Sequence, residues 1–417
     1  MIGTEQARAA RPGQLRRYFA VFGPGLVVML ADTDVGSIIT AGQSGAQWGF
    51  RLLLLQLLLV PILYVVQELT VRLAVYTGRG HGELIRDTFG PLWAWISVGG
   101  LVVAVAGALV TELAGVAGVG ELYGVPRWAS LALATAALLG VALTGSYRRV
   151  ERVAIALGLF ELAFFVVAWW AHPGLGEMAR GAISIPWANR DYAYLAAANI
   201  GAVIMPWMVF YQQSAVAEKR LGPDHLPAAR ADTAVGALLT QLVMAAVLVA
   251  AAATIGKRDP GASLNTVGDL AGALVPFLGV GVGKLVFSLG ILGAAMVAAI
   301  VVTLALAWGV GEVAGYKHSL ELRPTDARWF YGIYTVGVVG CAVLVALWPN
   351  LVALNVGVQI MNALMLPLVL GFLIALARYA LPPARQLRGV YFWVVTIVIG
   401  VTTALGVFGG FSGAGLL

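Results

Sequence analysis

Leu30-Ala31-Asp32-Thr33-Asp34-Val35-Gly36-Ser37 interrupts an apolar segment, Val21 to Ala41, that is about the length needed to cross a bilayer. Two carboxylates there are costly. A charged side chain near the bilayer centre costs about 3 kcal/mol on insertion scales, so such residues face a cavity, a partner or an ion. The stretch is also a weak helix: Asp32, Thr33, Asp34, Val35 and Gly36 are consecutive poor helix formers. A broken helix at membrane depth is tolerated only where it lines a cavity or is buried in protein. Carboxylates beside freed backbone carbonyls describe a cation site. The alternative is that both aspartates pair with basic residues inside a bundle, but the apolar segments hold little Lys or Arg.

Composition sets the class. The chain has 417 residues, 60% hydrophobic and 11% charged, with mean hydropathy +0.89. These values describe a polytopic integral membrane protein. The lone cysteine, Cys341, excludes an intramolecular disulfide and a cysteine metal cluster, and reads as a small buried hydrophobe. Met1–Arg17 is polar and basic, with no cleavable signal evident. No nucleophile–base pair, phosphate loop or nucleic-acid motif appears, which argues against an enzyme; the lipid bilayer is the partner the composition names.

Eleven spans are predicted, at roughly 21–45 (broken), 50–76, 92–119, 127–145, 151–171, 192–217, 231–255, 282–311, 328–347, 351–378 and 389–411. With the N-terminus in the cytoplasm, 19 of the 26 lysines and arginines fall on inner segments, among them Arg8, Arg11, Arg16 and Arg17. That asymmetry supports both the count and the orientation, with the C-terminus outside. The sixth span is interrupted too: Pro206, in Asn199-Ile200-Gly201-Ala202-Val203-Ile204-Met205-Pro206-Trp207, removes a backbone donor and frees carbonyls near Ala202. Paired discontinuous helices at matching positions point to a transporter of inverted repeats with its site at their crossing. The expected organisation is a tail, 1–20, a first five-helix repeat, 21–171, a second, 192–378, and a peripheral eleventh helix, 389–411.

These stretches resemble the Nramp family of divalent-metal transporters. Asp34-Val35-Gly36-Ser37 stands where that family has Asp-Pro-Gly-Asn. Ala202 to Trp207 stands where it has an alanine and then Met-Pro-His. Arg72-Leu73-Ala74-Val75-Tyr76-Thr77-Gly78-Arg79, followed by Glu83-Leu84, is similar to the family's inner end of span 2. The resemblance covers nearly the whole chain. It implies an all-α, LeuT-like fold of 5+5 inverted repeats, with a divalent metal ion held between spans 1 and 6 as transported substrate and no cofactor. By position, Asp34 would be the anionic ligand and Ser37 would replace an asparagine. The Ala202 carbonyl and the Met205 thioether would complete the set. Gln359 matches a polar pathway position, Met365 stands in place of a coordinating glutamine, and Thr111-Glu112 resembles the family's Thr-Asp.

The departures matter as much. Where relatives carry a further acid in span 3 and two histidines in span 6, this chain has Gly115, Trp207 and Gln212. Its four histidines, His81, His172, His225 and His318, all fall in predicted loops, so a histidine proton switch inside the membrane is missing. Glu112 either lines an aqueous path or pairs with a buried donor. Glu68 and Glu161 read as structural, paired with inner basic residues or turned to water. Asp32 is either a second ligand or a cap for the second half of the broken helix, with Thr33 beside it. Trp207, unlike Trp93, Trp95, Trp128 and Trp348, does not fit an interface and is expected to narrow the inner path.

Ligand chemistry sets the ion. A thioether favours transition metals, whereas a short serine arm leaves room for a hydrated ion such as magnesium. Manganese- and iron-like ions are therefore placed slightly ahead of magnesium. The expected function is a secondary transporter working by alternating access with weak or absent proton coupling. The alternative is a LeuT-fold carrier of an organic substrate such as an amino acid or amine, since fold alone does not decide substrate. The Ala, Gly and Arg content places it in a bacterial inner membrane.

Overall fold

The computed structural model describes residues 21–186, 188–259, 264, 266–348 and 355–413. The tail 1–20 with its four arginines, and the first four residues of the predicted tenth span, lie outside the described residues. Among the described residues the chain is helical throughout, with no strand.

Span 1 is two helices, α1 (Pro24–Asp32) and α2 (Val35–Trp48). Pro24 opens α1 where a missing N–H costs nothing. Span 2 is α3 (Leu53–Thr77), ended by Gly78 in the left-handed conformation at φ 66°. A short amphipathic α4 (His81–Phe89) leads into α5 (Pro91–Leu122), the third span. The fourth is α6 (Arg127–Ala142). The fifth is α7 (Tyr147–Gly158) and α8 (Ala163–Trp170), joined by a tight turn at Leu159–Leu162. After a surface helix, α9 (Leu175–Ile183), span 6 is α10 (Arg190–Val203) and α11 (Pro206–Glu218). The rest are α12 (Leu226–Arg258), an outer-loop helix α13 (Val267–Leu278), α14 (Val280–Ala314), α15 (Arg328–Leu347), α16 (Asn355–Tyr379) and α17 (Gly389–Gly413). Every predicted span falls on a helix. Among the described residues nine helical stretches are long and apolar enough to cross a membrane; Val35–Thr77 counts as one, and the sixteen-residue α6 falls below that length.

Three elements were not foreseen: α4, α9 and α13. The histidine expectation needs correcting with them. His81 is not in a loop but starts α4, fully buried, with Nδ1 2.9 Å from Gln213 Oε1.

The long helices α12 and α14 organise the interior. α12 runs along α1, α2 and α3, and α14 packs on α5, α11 and α7. Glycines set the closest approaches. A methyl group on Gly45 would lie 2.2 Å from the Leu248 carbonyl oxygen of α12, one on Gly201 1.9 Å from the Gln359 carbonyl oxygen of α16, and one on Gly293 2.5 Å from the Leu157 carbonyl oxygen of α7. Small residues let backbones meet in a medium where the hydrophobic effect does not drive helices together.

Candidate functional site

The two breaks face each other. α1 stops at Asp32, Thr33 caps it, and α2 restarts behind Asp34, whose Oδ1 accepts from the Ser37 backbone N–H at 2.6 Å. That is an N-cap, and it satisfies one of the four donors a helix start leaves free. The cap is therefore Asp34, not Asp32: an extended residue directly before the first helical turn reaches back to the third amide, and Asp32 is still inside α1. In span 6, Ile204 and Met205 are extended because Pro206 opens α11. The Ser37 hydroxyl donates to the Ala202 carbonyl oxygen at 2.9 Å. A carboxylate, a hydroxyl and a carbonyl from two discontinuous helices thus meet; Met205, buried, is the residue from which α11 starts.

Asp32, Asp34, Glu112 and Glu161 are all at least 99% buried, and none of the ion pairs among the described residues includes any of them. Glu112 Oε2 accepts from the Val35 backbone N–H at 3.2 Å while its other oxygen is unpartnered. Both oxygens of Asp32 and both of Glu161 are without hydrogen-bond partners among the described residues. Glu161 thus departs from the structural reading: it stands in the turn within span 5, fully buried, and neither pairs with a basic residue among the described residues nor reaches water. Glu68 does follow the structural reading, accepting from Arg72 at 2.9 Å and Arg230 at 2.6 Å. Among the described residues no three His, Cys, Asp or Glu side chains form a metal-holding cluster. Any ion at the breaks would rely on mixed ligands.

The other predicted residues separate into near and far. A methyl on Gly36 would meet the Gln359 amide nitrogen at 2.4 Å and the Thr111 methyl at 3.3 Å, so both side chains reach the break. Thr111 spends its hydroxyl on the Gly107 carbonyl, 3.1 Å away in its own helix. Thr33 pairs with Thr240 of α12 at 2.5 Å. Trp207 is fully buried one residue after Pro206, with its indole N–H unpartnered. Gln212 does not reach the break. It accepts from Thr70 at 3.1 Å and donates to Thr233 at 2.8 Å, which joins spans 2, 6 and 7. Met365 is also away from it, half-buried with its methyl against Gly100 of α5. Six residues past Gln359 a helix has turned about 240° beyond a full revolution, onto another face. The residue that shares the Gln359 face is Asn362, three positions on, whose amide donates to Gln359 Oε1 at 3.0 Å. Spacing of three from Gln359 was the available signal, and it was missed.

Polar networks close both sides of the breaks. On one side Gln56 donates to Asn199 Oδ1 at 2.6 Å and Asn199 donates to Ser44 at 2.7 Å, linking α3, α10 and α2. On the side rich in arginine, Asp232 of α12 accepts from the backbone N–H groups of Gly23, Gly25 and Leu26. Lys219 pairs with Glu151 at 2.8 Å, and Glu312 accepts from Ser214 and from the Gly82 amide.

The family model for Nramp, natural resistance-associated macrophage protein-like, matches residues 25–411. The divalent metal cation transporter MntH of Agrobacterium fabrum is 27% identical over 303 residues, covering 70% of this chain and 65% of that protein. MntH of Ralstonia nicotianae is 30% identical over 292 residues, covering 65% of this chain and 64% of that protein. The match thus spans a little under two thirds of the length of these relatives. A crystal structure of the Eremococcus coleocola manganese transporter superposes with a TM-score of 0.77 at 17% identity, covering 99% of this chain and 90% of that one. A Na+-coupled sialic acid symporter follows at 0.61 and 14%, covering 94% and 89%. The structural likenesses give the LeuT-like fold of a multi-pass membrane protein. With one family model spanning nearly its whole length, the chain belongs to the Nramp family.

Proposed function

We propose that this protein is a secondary transporter of divalent metal ions working by alternating access. The observation that carries this reading is the contact of the two breaks: Ser37 Oγ 2.9 Å from the Ala202 oxygen, and Asp34 beside it with no cationic partner among the described residues. The names of the relatives, divalent metal cation transporter and manganese transporter, support the substrate class. In this reading Asp34, Ser37, the Ala202 carbonyl and the Met205 sulfur take the ion. Gln359 and Thr111 border them; Asp32, Thr33, Glu112 and Trp207 shape the path. Residues 21–171 and 192–378 form the two inverted repeats, each contributing one broken helix to the site. The N-terminus lies in the cytoplasm of a bacterium and the C-terminus outside.

The thioether puts manganese- and iron-like ions ahead of magnesium, because soft sulfur discriminates against hard ions that keep their water. Proton coupling is weak or absent, since Gly115, Trp207 and Gln212 offer nothing that titrates near neutrality and Gln212 is committed to Thr70 and Thr233.

The test is uptake into proteoliposomes, with manganese and magnesium compared while a second dye follows internal pH. Saturable manganese uptake that excess magnesium barely inhibits, without acidification, is expected. Asp34→Ala should reduce it to background while the protein still elutes as a folded species. Undiminished uptake by that variant overturns the site. Acidification in step with metal entry overturns the uncoupled reading, and no uptake of either ion moves an organic substrate to the front.

A further inference from the structure

An open groove runs down the outer surface between α5, α14 and α15, away from the breaks. It has a volume of about 730 Å³ and is lined by Val105, Leu109, Leu306, Val310, Val336 and Leu344, with Cys341 at its floor. The lining is almost wholly apolar. Gly332 and Gly340 of α15 belong to it, and a methyl group on either would meet nothing within 4 Å. The groove is thus wide enough for a chain to lie along α15.

Beside one end of this groove is a second cavity of about 590 Å³ of a different chemistry. Trp329 and Gly332 line both, so the two adjoin there. The second cavity is bordered by Lys317, Arg328, Tyr316, Thr325 and Asp326. Lys317 and Arg328 are exposed, and among the described residues neither has an ion-pair partner. The Tyr316 hydroxyl is also unpartnered. Two cations against the single carboxylate of Asp326 leave a net positive mouth. Trp329 is 71% exposed at the junction, the place where an amphipathic ring sits at a membrane boundary.

We infer that this is a binding site for one anionic phospholipid, with an acyl chain in the groove and the phosphate between Lys317 and Arg328. An apolar length, a tryptophan at the junction and a basic mouth occur in the order in which a lipid presents tail, glycerol and headgroup. Basic pockets between membrane helices at the cytoplasmic surface recognise anionic headgroups in this way. The mouth lies at the end of the bundle that the arginine and lysine distribution assigns to the cytoplasm, and the inference rests on that orientation only for the leaflet.

Native mass spectrometry of the full chain in mild detergent tests it, with phosphatidylglycerol and phosphatidylcholine titrated separately and no metal added. One phosphatidylglycerol should be retained after dilution. The Lys317→Ala/Arg328→Ala double variant should weaken retention about thirtyfold, on the basis of roughly one charge-sized contribution from each residue. Gly340→Leu, which fills the groove and leaves the mouth intact, should also release the lipid. Equal retention of the two lipids overturns the proposal, as does a double variant that keeps phosphatidylglycerol while its thermal midpoint is unchanged. Displacement by millimolar glycerol phosphate, which has the head and no tail, would make the site one for a soluble phosphate and overturn it too. Because lipid retention is read without transport, a failed metal assay leaves this result standing, and the reverse.

Discussion

Gly36 and Gly201 lie one on each side of the contact between the breaks, and they differ in what crowds them. The atom nearest Gly36 is the end of the Gln359 side chain, which can swing aside; the atoms nearest Gly201 are the backbone of α16. Gly201→Ala should therefore destabilise the protein by about 1–3 kcal/mol as an overpacked contact, and Gly36→Ala by clearly less. Thermal unfolding in detergent checks the order; equal midpoints would contradict it. The two helix breaks, at Thr33–Asp34 and at Ile204–Met205, were legible in the sequence because aspartate, glycine and proline announce breaks in an apolar run. The surroundings of Glu161 were not, and for Asn362 the one signal was its spacing of three from Gln359. Which side of a helix faces the break depends on rotation about its axis, and in nearly all-apolar spans no polar stripe fixes that rotation. Met365 was misplaced for the same reason.

The helix starts at the arginine-rich end depend on partners far away in the chain. α1 has no acidic residue in its own first turn; its amides are held by Asp232, more than two hundred residues later. No local pattern reveals such a cap. Asp232→Ala should cost about 1–3 kcal/mol, since it strands buried N–H groups. It should also speed hydrogen exchange at Gly25 and Leu26, while Asp232→Asn, which keeps an oxygen acceptor, should do so less. Unchanged exchange at those amides would contradict the cap. By contrast α13 was readable. Thr266 and Asp269 form a reciprocal capping box, with the Asp269 amide on Thr266 at 3.0 Å and the Thr266 amide on Asp269 at 2.9 Å. Threonine, two residues and an acid before an apolar run is the signature, and it lay unused in the outer loop.

For the molecule as a whole, hydropathy was enough to place the apolar spans on helices, because it reports on the bilayer rather than on packing. The amphipathic helices between spans escaped since they obey packing instead. One of them ties stability to pH. Burial without a partner at Nε2 pushes the His81 imidazole down to about 4. The unfolded chain takes that proton near pH 6.5 and the folded one only near 4, so the unfolded state binds more protons between the two. The contribution of His81 to stability is therefore flat above pH 6.5 and falls as pH drops toward 4, by about 3 kcal/mol in all. His81→Gln should remove most of that slope in denaturation midpoints measured across the range; an unaltered slope would assign it to other groups. The glycine contacts at Gly45, Gly201 and Gly293 carry a mechanical consequence. Helices whose backbones touch cannot slide or roll without collision, so α2 travels with α12, α10 with α16, and α7 with α14. The molecule is then a linkage of a few stiff bars, and its joints fall at the two unwound corners, Thr33–Asp34 and Ile204–Met205, where the cargo would sit.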